Sequence, residues 1–418
     1  MWPARSSTFD LTRTFRFGSR SVQAIVDLYN SLNGNANLSE VTTWRTSKRA
    51  LMPHDSDRAR FSRRDAIRLM ALWAAAASAA EAASGAVAAP PSKRLPRGSV
   101  IRTVLRDVPV DALGAGAVLF HEHLSINLAG LGRGARQSGP PLPPITDNVD
   151  LIAQLVDRAG ADGVSCIVDG GHTDMGRKLE DLKTIAQRTK VHIVASGGFY
   201  MQRVYPPDIA GKSEDQLADD LARQAAEGRF GAFGEIGEDP NAAELTLDER
   251  KVFRAVGKAA VRTGLPVFTH NSYGTGPNVP KDIGLQQLDL LESTGLKPER
   301  IAIGHTCCLN DPQATIIKEV AKRGAFVGFD RVTTVQQIMP DDQKVAMALA
   351  FLEAGHADKL LLASDFTGQR TLEAGPGYGR TLTTFVPMLR KAGVDEATLH
   401  TILNDNPRRF LAFVPKRT

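Results

Sequence analysis

The sequence predicts a single α/β domain, a (β/α)8 TIM barrel over residues 89–418, on three observations. From residue 117 onward, short apolar runs alternate with longer segments of helical period, which is the pattern of repeated βα units. The runs number eight, the count a closed barrel of this kind needs. Each run is almost continuously apolar and turns polar only in its last residues, as parallel strands covered on both faces do.

Taken in order, the first run, 117–123, ends in Phe120-His121-Glu122-His123, and the second, 164–171, ends in Gly170-Gly171. The third, 192–200, closes on Gly198-Phe199-Tyr200. A helix is expected over 215–227, where Leu217, Leu221 and Ala225 share one stripe. The fourth run, 231–237, carries Glu235. It is followed by a helix over 247–263 with Val252, Phe253, Val256 and Ala260 on one face. Runs five to eight, 266–272, 301–306, 325–330 and 360–366, hold His270, His305, Asp330 and Asp365 near their ends. Residues 381–413 read as helices that close the barrel. The longest connections after strands, 124–149 and 366–379, are rich in Gly and Pro and are expected to hold substrate.

Residues 1–88 read as a leader apart from the barrel. They carry 12 Lys+Arg and 7 Asp+Glu, so the formal charge of +5 lies there and the remaining residues hold 39 of each sign. A neutral body with 6% aromatic residues does not carry the basic surface that nucleic acid demands. Within the leader, Ser62-Arg63-Arg64 precedes the apolar Leu69-Met70-Ala71-Leu72-Trp73 and an alanine tract, the order of a signal peptide. The segment resembles a twin-arginine export signal with processing at Ala86-Val87-Ala88, which places the mature protein in the periplasm or outside the cell. A basic tail beside an alanine-rich helix is the alternative. Met52 is the expected initiator, since 51 residues ahead of a signal peptide is unusual. No other stretch reaches the roughly 18 apolar residues of a membrane span. The body's cysteines, Cys166 and the adjacent Cys307 and Cys308, form no disulfide framework.

The chemistry is concentrated at the C-terminal ends of the runs, the face on which barrels of this class place their active sites. His121 and His123 stand two apart on a strand, so both rings face one side and suit a borderline metal such as zinc. Alone, such a pair is equally well read as two satisfied hydrogen-bonding histidines. Glu235, His270, His305 and Asp365 at the same rim change that reading. Six charged or basic groups in an apolar barrel need a common partner. His54, His172, His192, His356 and His400 fall outside this pattern and read as loop, strand-start or surface residues.

Over residues 102–413 the chain resembles the phosphotriesterase family of the amidohydrolase superfamily. The resemblance rests on Phe120-His121-Glu122-His123-Leu124, Gly198-Phe199-Tyr200, Ile303-Gly304-His305-Thr306 and Asn406-Pro407-Arg408-Arg409-Phe410-Leu411. It implies two divalent metal ions, zinc the leading choice: His121, His123 and Asp365 on the more buried one, His270 and His305 on the other, Glu235 bridging. The best-known members bridge with a carboxylated lysine. Glu235 supplies the same two oxygens and the same single negative charge on a shorter arm.

Two such cations lower the pKa of a shared water so that hydroxide is available near neutral pH, and Asp365 is placed to accept its proton as general base. The expected function is hydrolysis of ester or lactone bonds by that metal-bound hydroxide, with organophosphate triesters as further substrates. Asp330-Arg331 resembles the pair of lactonase-type relatives, and Arg331 is a candidate substrate anchor with Tyr200 and Tyr273; Tyr378 is a further candidate for the pocket wall. Cys307 and Cys308 are read as a plain loop. One alternative is a phosphomonoester, phosphodiester or amide hydrolase on the same site. Another is a non-catalytic periplasmic binding protein on a retired barrel, which predicts a lost ligand where none is missing. The partner expected is a small-molecule substrate, with no nucleic acid, no membrane beyond export, and room for a homodimer.

Overall fold

Eight parallel strands, hydrogen-bonded in sequence order, make the barrel: β1 (Ala117–Glu122), β2 (Val164–Asp169), β3 (His192–Gly197), β4 (Ala232–Ile236), β5 (Val267–Thr269), β6 (Ile301–Ile303), β7 (Phe326–Phe329) and β8 (Leu360–Leu362). The computed structural model describes residues 95–127, 148–239, 243–273 and 279–415, with the backbone of three further strands before residue 47. The ring closes just beyond β8, where the N–H of Asp365 donates to His121 O at 3.2 Å and that of His123 to Phe366 O at 3.0 Å. Closure therefore falls on the residues that carry the chemistry.

The chain divides into two compact units, Met1–Val87 and Ala88–Thr418. In the first, Thr8–Phe17 pairs antiparallel with Arg20–Tyr29, and Arg45–Thr46 adds to the second strand. The segments read as an export signal, Ser62-Arg63-Arg64 and Ala86-Val87-Ala88, lie outside the described residues.

Seven helices follow the strands in turn: α1 (Val149–Ala161), α2 (Leu179–Arg188), α3 (Glu214–Glu227), α4 (Leu247–Thr263), α5 (Ile283–Glu292), α6 (Thr315–Lys322) and α7 (Asp341–Glu353). Their starts follow from sequence chemistry. Ser213 and Gln216 form a capping box on α3, and Thr246 and Glu249 form one on α4, so orphan N–H groups of each first turn find side-chain acceptors. Gly264 ends α4 at φ 79°, a left-handed position that glycine adopts without penalty. Residues 381–413 are helical in two stretches, 381–391 and 396–411, as expected. Among the described residues no helix is long and apolar enough to cross a membrane.

Apolar side chains pack in two layers. Ile167, Ile193, Phe233, Val267 and Val327 face the helices and meet Leu155, Leu217, Val252 and Leu288. Val118, Phe120, Val168, Val194, Ala232, Phe268, Ala302 and Leu361 fill the barrel, where Phe410 plugs the floor. The rings of Phe120, Phe268, Phe326 and Phe410 meet edge to face at 5.5–6.4 Å, the favoured aromatic geometry. They form a dry base beneath the polar mouth.

The strands are shorter at their C-terminal ends than the apolar runs suggest, and two are irregular. Between Leu119 and Glu122, β1 has one residue more than the matching stretch of β2, Ile167 to Asp169. Between Phe233 and Ile236, β4 has one more than β5 from Val267 to Thr269. An extra residue of this kind reverses the in–out parity of the strand beyond it. Strict alternation would put His121 on the helix side, because Phe120 points inward; the bulge turns His121 and His123 into the mouth. In β4, Ala232 is inward and Phe233 outward, so alternation would bury Glu235 under the helices; here too the bulge re-aims it.

Candidate metal centre at the barrel mouth

The remaining three site residues sit just past their strands. His270 follows β5, and His305 and Asp365 follow β6 and β8 in left-handed backbone at φ 53° and 49°. For residues with a Cβ that conformation is disfavoured and persists only where neighbours impose it. Glycine permits it at His305: a Cβ on Gly304 would lie 2.0 Å from Thr269 O and 2.8 Å from Asp330 Oδ2. At Asp365 the cause is Glu122, the middle residue of the His-Glu-His run. Its two carboxylate oxygens accept the N–H groups of Ser364 and Phe366, each at 2.8 Å, on either side of Asp365.

So placed, the six residues converge. His123 Nε2 is 3.2 Å from Glu235 Oε1 and 3.0 Å from Asp365 Oδ1. His121 Nε2 faces Glu235 Oε2 at 3.4 Å and Asp365 Oδ1 at 3.8 Å. The same Oε2 lies 2.7 Å from His270 Nδ1 and 3.3 Å from His305 Nε2, and those two nitrogens are 2.8 Å apart. The ligand atoms fall into two overlapping sets, His121, His123, Glu235 and Asp365, and Glu235, His270 and His305. Everything here is buried except Asp365, whose side chain is 14% exposed and marks the open side.

A metal fits this donor set. His121 Nδ1 donates to Asp330 Oδ2 at 2.8 Å, so Nε2 presents its lone pair, and that buried atom has no hydrogen-bond partner among the described residues. His305 Nδ1 meets Asp330 Oδ1 at 3.1 Å, which orients its Nε2 in the same way toward His270. Two imidazole nitrogens at 2.8 Å need a proton or a cation between them. His121, His305 and Asp330 also lie close enough to be taken for a third metal set. Asp330 is engaged with the Nδ1 atoms, however, and orients the ligands from behind.

The electrostatics agree. Burial alone would discharge these groups. Against it, Glu235 and Asp330 hold His121 well above the ordinary imidazole range, and hydrogen bonds to Asp365 and Glu235 raise His123 to about 10. Burial likewise opposes ionisation of Asp330, but His305 and His121 bring it down to about 2. Burial and the neighbouring His305 press His270 down to about 4, with Glu235 opposing. Buried imidazoles and carboxylates thus share protons across the mouth, and a cation would displace them.

A second tier of buried carboxylates lies beneath the ligands, and the sequence reading missed it. Besides Glu122 and Asp330, Asp169 accepts the N–H groups of Leu124 (2.7 Å) and Ser125 (3.3 Å) after His123. Glu238 accepts the N–H of Ser272 after His270 at 2.6 Å and the Gln287 amide at 2.6 Å. Burial raises Glu122 and Glu238 to about 8. The available signal was an acidic residue at or next to a strand end in an otherwise apolar run.

Of the residues expected to contact substrate, Arg331 and Tyr200 reach the cluster. Arg331 Nε donates to Asp365 Oδ2 at 2.9 Å while its buried Nη1 has no partner among the described residues, and the Tyr200 hydroxyl is 3.2 Å from His270 Nδ1. Arg331 thus forms an ion pair with Asp365. Tyr273 does not reach the cluster: its hydroxyl donates to Lys281 O at 2.7 Å and accepts from Gly284 N at 3.3 Å, at the start of α5. Tyr378 is no pocket wall either, since it is fully buried and its hydroxyl donates to His123 O at 2.7 Å. Cys307 is more than a plain loop residue, because its sulfur accepts the N–H of Arg331 at 3.3 Å. His172, read as a loop or surface residue, is buried against β4. Of the two expected substrate loops, residues 128–147 lie outside the described residues. Loop 366–379 is pinned by Arg158 to Leu372 O and Gly375 O at 2.8 and 3.0 Å.

Comparison with known proteins gives the same architecture. The pattern of the Phosphotriesterase family matches residues 101–411. The phosphotriesterase homology protein of Escherichia coli K12 is 31% identical over 303 residues, 71% of this chain and 97% of that one. An aryldialkylphosphatase of Saccharolobus solfataricus is 28% identical over 320 residues, 72% of this chain and 97% of its own length. The crystal structure of the Escherichia coli protein, complexed with phosphate in its active site, superposes with a TM-score of 0.63 at 29% identity, covering 71% of this chain and 99% of that one.

Proposed function

Because this chain belongs to the phosphotriesterase family, we propose that it is a two-metal hydrolase of esters and lactones that also accepts aryl phosphotriesters, with zinc as its metal. The observation that carries this reading is Glu235, one buried carboxylate that meets all four imidazoles, Oε1 toward His123 and Oε2 toward His121, His270 and His305. His121, His123 and Asp365 would hold one ion and His270 and His305 the other, with Glu235 shared. When bound, such a pair lowers the pKa of a water and polarises the electrophilic oxygen of a substrate.

The chain's own groups supply the rest. Asp365 is the most exposed carboxylate of the set and takes the proton of the attacking water. Arg331 holds Asp365 through Nε and offers Nη1 to a substrate carbonyl or phosphoryl oxygen. The Tyr200 hydroxyl beside His270 donates to an oxygen bound on that side. Arg331 is already paired with Asp365, an arrangement suited to neutral esters and lactones and poorly suited to a doubly charged phosphomonoester.

The test is metal analysis of the purified chain together with rates on a panel of lactones, aryl esters and an aryl phosphotriester. About two metal ions per chain and hydrolysis that falls at least 10²-fold in His121→Ala and Asp365→Ala are expected, the scale of loss when a group stabilising the transition state is removed. Uptake clearly below two ions per chain, or rates unchanged in both variants, would sink the reading.

A further inference from the structure

The connection from β2 to α2 carries a fully enclosed histidine with no role in the proposed reaction. His172 is 1% exposed, and its Nε2 lies 2.7 Å from Gly234 O. A carbonyl only accepts, so Nε2 carries the proton of that bond. The N–H of the same peptide, that of Glu235, donates to Gly170 O at 3.0 Å. The peptide group that leads into Glu235 is therefore held at both of its polar atoms by one short loop.

The same loop reaches the other parts of the mouth. A Cβ on Gly170 would lie 2.8 Å from His121 Cδ2, so the loop backbone rests directly against that ring. Beyond His172, the carboxylate of Asp174 faces His172 Nδ1 at 3.5 Å and accepts the N–H of Tyr200 at 2.8 Å. One six-residue segment, Asp169 to Asp174, thus touches His121, the bridging glutamate and the tyrosine beside His270.

A carboxylate that serves two ions must have both oxygens in place at once, and a glutamate has only its short arm for adjustment. Its backbone must then be fixed with corresponding accuracy. We infer that His172 is a positioning residue for Glu235: its hydrogen bond to Gly234 sets where the shared carboxylate stands and so governs uptake of the second ion. This rests on the two-ion reading of the site.

The experiment compares the full chain with His172→Phe, which keeps a ring and removes the donor, and His172→Gln, whose amide can donate to the same carbonyl. His172→Met is carried alongside in case the Phe variant does not fold. Zinc per chain, zinc affinity by chelator competition, melting temperature, and kcat and KM on an aryl ester are measured. In His172→Phe or His172→Met, affinity for the second zinc is expected to weaken about 10- to 100-fold, the usual effect of losing a group that orients a ligand. On the same grounds kcat is expected to fall about tenfold or more with KM within about twofold, and His172→Gln to recover most of the loss.

A folded Phe or Met variant with wild-type zinc affinity and kcat, whatever its melting temperature, overturns the inference and makes His172 a packing residue. A wild-type chain that takes up fewer than two ions overturns the two-ion reading itself, so the two failures are told apart.

Discussion

At the scale of single residues, the ligands depend on groups that never touch the reacting atoms, and Asp330 is the clearest case. Its Oδ2 receives His121 Nδ1 and its Oδ1 receives both the ring and the backbone N–H of His305, so one carboxylate selects the tautomer of two ligands belonging to different ion sets. Asparagine keeps the volume but replaces one acceptor by an NH2 group, which confronts an imidazole N–H and releases one ring. Asp330→Asn should therefore weaken zinc binding about 10- to 100-fold without unfolding the barrel. Chelator competition on the folded variant checks this, and wild-type affinity there would remove Asp330 from its orienting role. In sequence, Asp330 shows only as an acidic residue at the end of the seventh run, next to Arg331. Its actual partners lie 209 and 25 residues away.

At the scale of elements, the helices' starts and the mouth are fastened by the same side chains. Glu249 completes the capping box of α4 by accepting Thr246 N at 2.9 Å, and its other oxygen accepts Asp239 N at 2.8 Å, in the loop that follows β4. It is fully buried. Thr246→Ala removes only the cap on Glu249 N, and about 1 kcal/mol of stability should go with it. Glu249→Ala takes the acceptor from three part-buried N–H groups, those of Thr246, Asp239 and Gln202, and since a buried N–H left unpaired costs about 1–3 kcal/mol, a loss near 3 kcal/mol is expected. Urea denaturation of the two variants gives the order directly; equal midpoints would mean that Glu249 does no more than cap its helix. The box itself, Thr246 with Glu249 three residues on, is legible in the sequence, whereas its bond to the β4 loop is not.

At the scale of the whole molecule, ring closure and the candidate metal ligands coincide. The bonds that join β8 to β1 run through His121, His123, Glu122 and the residues around Asp365, so whatever neutralises this cluster also secures the barrel. Removing the metal should therefore loosen the fold and not merely silence it. A ligand at about 1,000 times its Kd adds about 4 kcal/mol to stability. Dialysis against a chelator should lower Tm by several degrees, and zinc should restore it. A Tm indifferent to zinc in differential scanning calorimetry would show that the network of imidazoles and carboxylates holds the closure unaided.

Local pattern alone accounts for a definite part of this molecule. The eight runs, the helices over 215–227 and 247–263, and the crowding of His121, His123, Glu235, His270, His305 and Asp365 at one rim come from periodicity and strand polarity, which any short window displays. Contacts across the barrel settle the rest. The bulges in β1 and β4 reverse parity against Phe120 and Ala232, and only the register with β2 and β5 reveals them. Tyr200 and Tyr273 are equally plausible in sequence, yet one reaches His270 and the other caps α5. His172 looks like a loop histidine until β4 is laid beside it. The physical reason is that the bulges, Tyr200 and His172 take their roles from neighbouring strands and loops whose residues are distant in the chain, whereas Tyr273 is drawn away from the mouth by Lys281, only eight residues on.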